Sequence, residues 1–506
     1  MKTPRHTLIA PVATATFALA VATPCHGQDV PTPDMKVPAS SSYTTPSWEF
    51  NFERGLPTKE TVGIMYNALD FQRAVEGYIW ATPAVHYDEW ARQMKKQLSL
   101  GYGDVAIWEK FCDPVTVGLT PNDTTIYAAT HLDSAVGPIV IESPPGALGM
   151  IDDIWQRPIC DVGPFGPDKG KGGKFLILPP DYKGDAPEEG YFVFTSPSRV
   201  FGYLVRGLIK DGDAKGAADN LRTMKIYPLS MKDNPPATKI VSVSGKPLNL
   251  LPPTGFEYWK RVAEIVNREP VHERDRLILG MLRPLGIEKG KPFQPDERQK
   301  ELLTKAAAMG KIMCQTIGFA KREGEYVPGS KWGFMITMNA DQRAEHYDQI
   351  DERTDYTYQG IWVGEGMIKK LIGKGSQYIG AYSDSDDEWF DGGKTYTLHV
   401  PANVPAEQFW SVTVYDSMTR SQIVTDTMKP SVGSHVEMDK NDDGSVDIHF
   451  GPEAPKGMEK NWIQTVPGKS WFVFFRLYGP TEAFFDRKWV MPDVEKATHT
   501  KASPAS

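Results

Sequence analysis

"EQFWSVTVYD", residues 407–416, decides how this chain folds. Phe409, Ser411, Thr413 and Tyr415 alternate with Trp410, Val412 and Val414. A period of two is that of a β-strand, whose successive side chains leave opposite faces. Both parities carry large side chains, so both faces must be at least partly covered, as in a two-layer packing. "KTYTLHVP", "SVDIHFGP" and "WFVFFRLYGP" read the same way, with Asp391-Gly392-Gly393 and Asp443-Gly444 as turns.

Working outward, a second β region precedes this one. "TTIYAATHLD", "PIVIESPP", "KFLILPPDY" and "YFVFTSP" are short apolar runs separated by Gly, Pro and Asp, as expected of antiparallel strands. Between the two regions, "GFEYWKRVAEIVNREP", "VHERDRLILGMLRPLGI" and "PDERQKELLTKAAAMGKIMCQTIGFAKR" carry helical spacing. Another helix is expected over residues 58–98, capped by Thr58 and broken at Pro83. The fold class is therefore mainly β with a helical insert: two antiparallel β-sandwich, jelly-roll-like domains. The expected organisation is a signal peptide (1–27), a lead-in (28–50), an N-terminal β domain (51–230), a mainly helical segment (231–330), a C-terminal β-sandwich (331–495) and a tail (496–506).

The bulk numbers agree with a globular chain. Of 506 residues, 40% are hydrophobic and 24% charged, enough for two or three cores. The 45 Gly and 41 Pro point to many turns and short strands rather than long helices. Lys2 and Arg5 precede the apolar run "LIAPVATATFALAVA", and Ala20-Val21-Ala22 offers a cleavage site, which is signal-peptide order. The run is shorter than the roughly 20 residues that span a bilayer, so periplasmic or secreted location without membrane insertion is expected. Losing the two N-terminal cations takes the net charge from −8 to −10, which repels nucleic acid. The four cysteines form no CxxC; one disulfide is open to the chain, with Cys112 and Cys160 the favoured pair.

Several chemistries are excluded. The ten histidines contain no HExxH, and there is no GxSxG or Walker A sequence. "GYGDVA" (101–106) has dinucleotide-loop spacing but follows a helix, not a strand. "DKNDDGS" (439–445) is half a calcium loop whose twelfth position is Phe450, so it reads as a turn. "DSDDEWFDGG" (384–393) has five carboxylates in eight residues and reads as a solvated hairpin rather than a cation site. No metal and no cofactor is expected.

"LTPNDTTIYAATHLD" (119–133) is the candidate site. Asp123, Thr125, Tyr127 and His131 share one parity. At about 3.3 Å per residue, Tyr127 and His131 lie about 13 Å apart and cannot grip one small group, whereas Asp123 and Thr125 can. One reading has Asn122 and Asp123 holding a turn. The other makes this a cleft rim with Asp123 and Tyr127 catalytic and Asn122, Thr125 and His131 binding substrate. Arg199 in "SPSRVF", Arg420 in "MTRSQI" and Trp462 in "NWIQ" complete the candidate binding set, with Arg420 and Arg476 also readable as core clamps.

These residues carry a resemblance. "TPNDTTIY" resembles the signature of the exported bacterial DUF1254 family. "GSQYIGAYSDSD", "FWSVTVYDSMTRSQI", "NWIQTVPGKSWF" and "FFDRKW" are similar to its companion, DUF1214. The resemblance implies β-sandwich domains around a helical insert in an exported protein, and no settled reaction. Ser196 stands where the pattern leads one to expect Arg. The expected function is a metal-independent hydrolase acting on an extracellular glycan, ester or amide in an inter-domain cleft. The alternative is a non-catalytic carbohydrate-binding or assembly protein. A small-molecule or glycan ligand is the expected partner, with self-association left open.

Overall fold

The computed structural model describes residues 40–44, 49–187, 189–209 and 212–497. The expected signal peptide, and all but the inner ends of the lead-in and the tail, lie outside the described residues. Among these, no helix is long and apolar enough to cross a membrane. Helix and strand take about 28% and 27% of the described residues, a mixed balance rather than a mainly β one.

Lys59–Leu98 is one continuous helix of 40 residues, with Pro83 inside it. Proline removes one helical N–H donor and crowds the preceding turn. The helix nevertheless runs through it, and two nearby carbonyls take donors from distant segments: Arg353 Nη2 donates to Trp80 O at 3.2 Å and Gln156 Nε2 to Pro83 O at 2.9 Å. The expected break at Pro83 is thus corrected. The helices Phe256–Arg268, Arg276–Leu282 and Glu297–Phe319 fall where their apolar spacing puts them. A buried helix, Ile350–Gln359, was not anticipated, because its sequence is largely polar.

The chain forms two compact units. One contains residues up to Ile79 together with Thr254–Asn267 and Val271–Met313. Its core is aromatic: Trp259 is fully buried and donates Nε1–H to Leu303 O, and Tyr258 stacks on Tyr78 at 3.9 Å.

The other unit, Trp80–Pro253, Arg268–Pro270 and Cys314–Ser506, holds the large sheets. A six-stranded sheet runs Ile240–Ser242, Val105–Trp108, Ile126–Asp133, Val200–Gly207, Ala147–Asp153, Pro158–Val162. It shares a core with a four-stranded sheet centred on Gly173–Leu178 and Ile139–Ser143. A five-stranded sheet runs Gly333–Phe334, Ser376–Ala381, Trp471–Pro480, Ala406–Asp416, Ser431–Gly433. It shares a second core with the sheet holding Tyr396–Val400 and Val446–Gly451. Most pairings are antiparallel as expected, but four short strands pair in parallel: Ile240–Ser242, Phe192–Thr195, Leu248–Asn249 and Trp462–Gln464. The favoured disulfide is absent; Cys112, Cys160 and Cys314 are free and buried.

Strand parity then positions the site. Trp471, Val473, Phe475 and Leu477 enter the second core, so Phe472, Phe474, Arg476 and Tyr478 leave by the other face. All ten residues of that strand are buried, so this other face is covered too. In the six-stranded sheet, Phe201, Tyr203 and Val205 enter the first core, which turns Gly202, Leu204 and Arg206 to the opposite side. Ile126, Ala128 and Leu132 do the same for Tyr127 and His131.

The acidic segment 384–391 is neutralised from within. Lys496 Nζ lies 3.2 Å from Asp384, 3.1 Å from Asp386 and 3.0 Å from Glu388. Asp384 Oδ1 also accepts from the backbone N–H groups of Asp386 and Glu388, each at 3.0 Å. A lysine therefore occupies the place a cation would take. Millimolar calcium is expected to leave the melting temperature unchanged, whereas Lys496→Met lowers it by taking the lysine from Asp384 and Asp386 and leaving Glu388 only the longer contact to Lys394. A calcium-dependent rise in the wild type would assign the loop to a metal instead.

Candidate functional site

The turn before the Ile126–Asp133 strand is organised by one buried side chain. Asn122 Oδ1 accepts from Thr124 N (3.1 Å), Thr124 Oγ1 (3.2 Å) and Thr125 Oγ1 (2.9 Å), and its Nδ2 donates to Tyr127 Oη. An asparagine can satisfy both ends this way because it is donor and acceptor at once. Thr120 and Pro121 are tied to the five-stranded sheet: Arg420 O accepts from Thr120 N at 2.7 Å, and Pro121 O from Tyr415 Oη at 2.8 Å. The turn thereby sets Tyr127 against the face of that sheet.

A cavity of about 90 Å³ lies there, room for several waters or a small organic molecule. Its polar wall is Asn122, Tyr127, Arg206, Tyr356, Tyr378 and Arg476; Trp90, Trp108, Trp362, Phe474 and three methionines give the apolar wall. The polar wall is built twice, once on each sheet. Arg206 pairs across strands with Tyr127 and its guanidinium lies 5.5 Å from that ring. Arg476 pairs across strands with Tyr378 and lies 5.3 Å from that ring. Arg206 also reaches over to Tyr378, with Nη1 and Nη2 each 3.3 Å from its Oη.

Neither arginine has a carboxylate partner among the described residues. Arg476 donates to Tyr415 Oη (2.6 Å), Thr413 Oγ1 (3.0 Å) and Thr120 O (3.1 Å), all neutral. Arg206 has only the Tyr378 hydroxyl and, at 3.5 Å, Ser376 Oγ. A buried guanidinium is ordinarily matched by an anion, because desolvating it costs several kcal/mol. Two of the lining indoles, Trp90 and Trp362, have N–H groups without a partner, although both residues are more than nine-tenths buried. The wall is rich in donors and poor in acceptors.

Tyr378 feels both cations. Burial pushes its phenol up, but Arg206, then Arg476 and the Ser376 hydroxyl, outweigh this and hold it below the ordinary phenol value. Ser376 Oγ is 2.6 Å from Tyr378 Oη, because residues two apart on a strand share a face. Tyr127 and Tyr356 are pushed up by burial instead. Burial also raises the Cys112 thiol, which leaves it protonated and poorly nucleophilic beside the cavity.

The remaining anticipated residues are dispersed. Asp123 does not line the cavity; its Oδ2 accepts from Ser431 Oγ and its Oδ1 has no partner. Thr125 serves Asn122. His131 is buried edge-on to Tyr87 (4.9 Å) and near Trp362 (5.4 Å), and burial lowers its pKa to about 4. Glycine is needed opposite it: a Cβ on Gly202 would sit 2.1 Å from Tyr87 Oη and 2.2 Å from Trp362. Arg199 is paired with Asp133 at 2.8 Å. Arg420 is buried against the Tyr358 ring and donates to Tyr358 O (3.1 Å) and Met418 O (2.6 Å), holding loops. Trp462 donates to Gly451 O at 3.0 Å. Of the eight anticipated residues the cavity gathers Asn122 and Tyr127. It also gathers Arg476, favoured as a core clamp in the sequence, and adds Arg206 and Tyr378, whose cue in the sequence is polar or charged residues on the second parity of otherwise apolar strands.

Residues 103–228 match DUF1254 and residues 375–482 match DUF1214, each described as a protein of unknown function. The VPA0106 protein from Vibrio parahaemolyticus has a similar fold, at a TM-score of 0.54 and 19% identity, over 85% of this chain and 100% of its own. An uncharacterised protein from Burkholderia cenocepacia aligns at a TM-score of 0.36 and 11% identity, over 86% of this chain and 95% of its own. No curated protein matches.

Two measurements test the site. Asn122→Ala removes an acceptor of three bonds and a donor of one, and is expected to cost about 2–3 kcal/mol in a denaturant melt. Tyr378 should ionise at lower pH than a free phenol, so the difference in tyrosinate ultraviolet absorbance between wild type and Tyr378→Phe should appear below the pH of the bulk tyrosines. A difference emerging only with the bulk would mean that the arginines do not acidify it.

Proposed function

We propose that this chain, which belongs to the family of proteins carrying a DUF1254 and a DUF1214 domain, takes a small organic anion into the cavity between its two large sheets. The observation that carries this reading is the pair Arg206 and Arg476, half-buried and buried on one cavity with no carboxylate partner among the described residues. A carboxylate or similar head group would restore the missing charge, and charge-assisted bonds are the strong ones. The unpartnered indoles of Trp90 and Trp362 add donors for acceptor atoms, and the methionines and Phe474 suit an apolar body of modest size.

The wider reading is of an exported protein, periplasmic or secreted, built on paired sheets of the β-sandwich, jelly-roll-like kind. An enclosed pocket lined by Tyr127 and Arg476 favours small-molecule chemistry, including ester or amide hydrolysis, over a shallow sugar-binding strip. Asp123 is no longer the acid or base of that chemistry in our reading, since it lies off the cavity wall.

Calorimetry with a panel of small aromatic carboxylates and their matching alcohols and amides tests the proposal. Carboxylates are expected to bind, the neutral analogues not. Arg206→Met should keep the fold, because the bonds it loses are long, and weaken carboxylate binding by about 10- to 100-fold. Asp123→Asn should bind as the wild type does. Equal binding of acids and neutral analogues, or no effect of Arg206→Met, would remove the reading. Export is tested separately by N-terminal sequencing from the native host: a start between about residues 23 and 28 is expected, and an intact Met1 would contradict it.

A further inference from the structure

We propose that Ser376 and Tyr378 form a nucleophile and base pair for acyl transfer, with Arg206 as the group that orients and charges the base. The inference goes beyond anion capture and rests only on this cavity being where substrate sits.

The geometry has the three parts of an activated serine. Ser376 Oγ and Tyr378 Oη are 2.6 Å apart, within proton-transfer reach. Arg206 Nη1 is 3.3 Å from the phenol oxygen and 3.5 Å from the serine oxygen, so one cation touches both. Arg476 lies against the other side of the pair, 5.3 Å from the Tyr378 ring. Ser376 is buried but not sealed: it borders a small adjoining cavity with Gly366, Met367 and Arg206, while Tyr378 borders the main one. Arg206 borders both, so the proposal seats the acyl group along Arg206, on the side where Ser376 opens. The two cations also acidify Tyr378, which lets a phenolate act as base nearer neutral pH.

The chemistry balances with water as the second reactant. Ser376 Oγ forms a bond to the acyl carbon of an ester or amide as its proton passes to the Tyr378 phenolate. The tetrahedral oxyanion gains Arg206 as a donor. Collapse breaks the bond to the alcohol or amine, which takes the proton from Tyr378. Water then attacks the Ser376 ester, giving one proton to Tyr378; collapse releases the acid, and Ser376 takes that proton back. No electron acceptor or metal is required. Tyr127, pushed up by burial, stays protonated and serves as a donor.

A neutral fluorophosphonate tests the pair without needing an anionic substrate. Serine oxygen displaces fluoride from phosphorus only when activated. The full-length wild-type protein should be labelled once, peptide mass spectrometry should place the adduct on Ser376, and the rate should rise with pH through an inflection below that of a free phenol. Ser376→Ala should abolish labelling, and Tyr378→Phe should slow it by about 100-fold. Melting temperatures accompany each variant. If either variant fails to fold, the wild-type adduct position and pH profile decide alone. No labelling of folded wild type across neutral and alkaline pH, or an adduct elsewhere, overturns the proposal. Labelling at Ser376 in a protein that ignores carboxylates would keep the pair and remove only the anion reading.

Discussion

The structure turns on two guanidinium groups on one cavity wall, Arg476 buried and Arg206 half-buried, without a carboxylate to meet them among the described residues. Moving such an ion into a low-dielectric interior costs several kcal/mol even after relaxation. Arg476 offsets this with two hydroxyls and a carbonyl, and Arg206 with the Tyr378 hydroxyl and the Tyr127 ring. These partners are neutral, so the charge itself is left uncancelled. A positive potential in a small enclosed space attracts an anion, lowers the cost of ionising a neighbouring phenol and favours a developing oxyanion. Binding and chemistry proposed for the cavity are two consequences of one imbalance.

Three other charged clusters contrast with this one, because each has its counter-group in place. Lys496 cancels the acidic loop, Asp133 holds Arg199, and backbone carbonyls absorb Arg420. These are scaffold: each fixes a loop or an edge. Two apolar layers then position the open cluster. The strands bearing Arg206 and Arg476 each commit one parity to a core, so the opposite parity is fixed to within a side chain's reach.

Much of this was legible in the sequence and the rest has identifiable reasons for being hidden. "EQFWSVTVYD" disclosed the covered second face: Trp410, Val412 and Val414 are core, and Tyr415 is buried on the other side. The three middle helices followed from spacing. Pro83 misled because the helix runs on through it, packed among Gln156 and Arg353, residues distant in sequence that donate to Pro83 O and Trp80 O. Asn122 and Tyr127 were legible because turn and strand chemistry are local. Arg206 lies one residue past the "FTSPSRVFGYLV" run, and Ser376 and Tyr378 lie inside a recognisable motif. None stood out, because their meaning arises when two sheets of the same unit bring residues 206, 376, 378 and 476 together. Asp123 drew attention as a carboxylate, yet the cavity is short of negative charge, not supplied with it.

Anomalous diffraction from crystals soaked in bromide tests the uncancelled charge most directly, since a halide needs no particular shape of pocket. The account predicts a bromide peak inside the cavity, in contact with Arg206 or Arg476, that disappears in Arg206→Met. A cavity holding only water while surface sites fill with bromide, or a carboxylate side chain found turned in against either arginine, would contradict it.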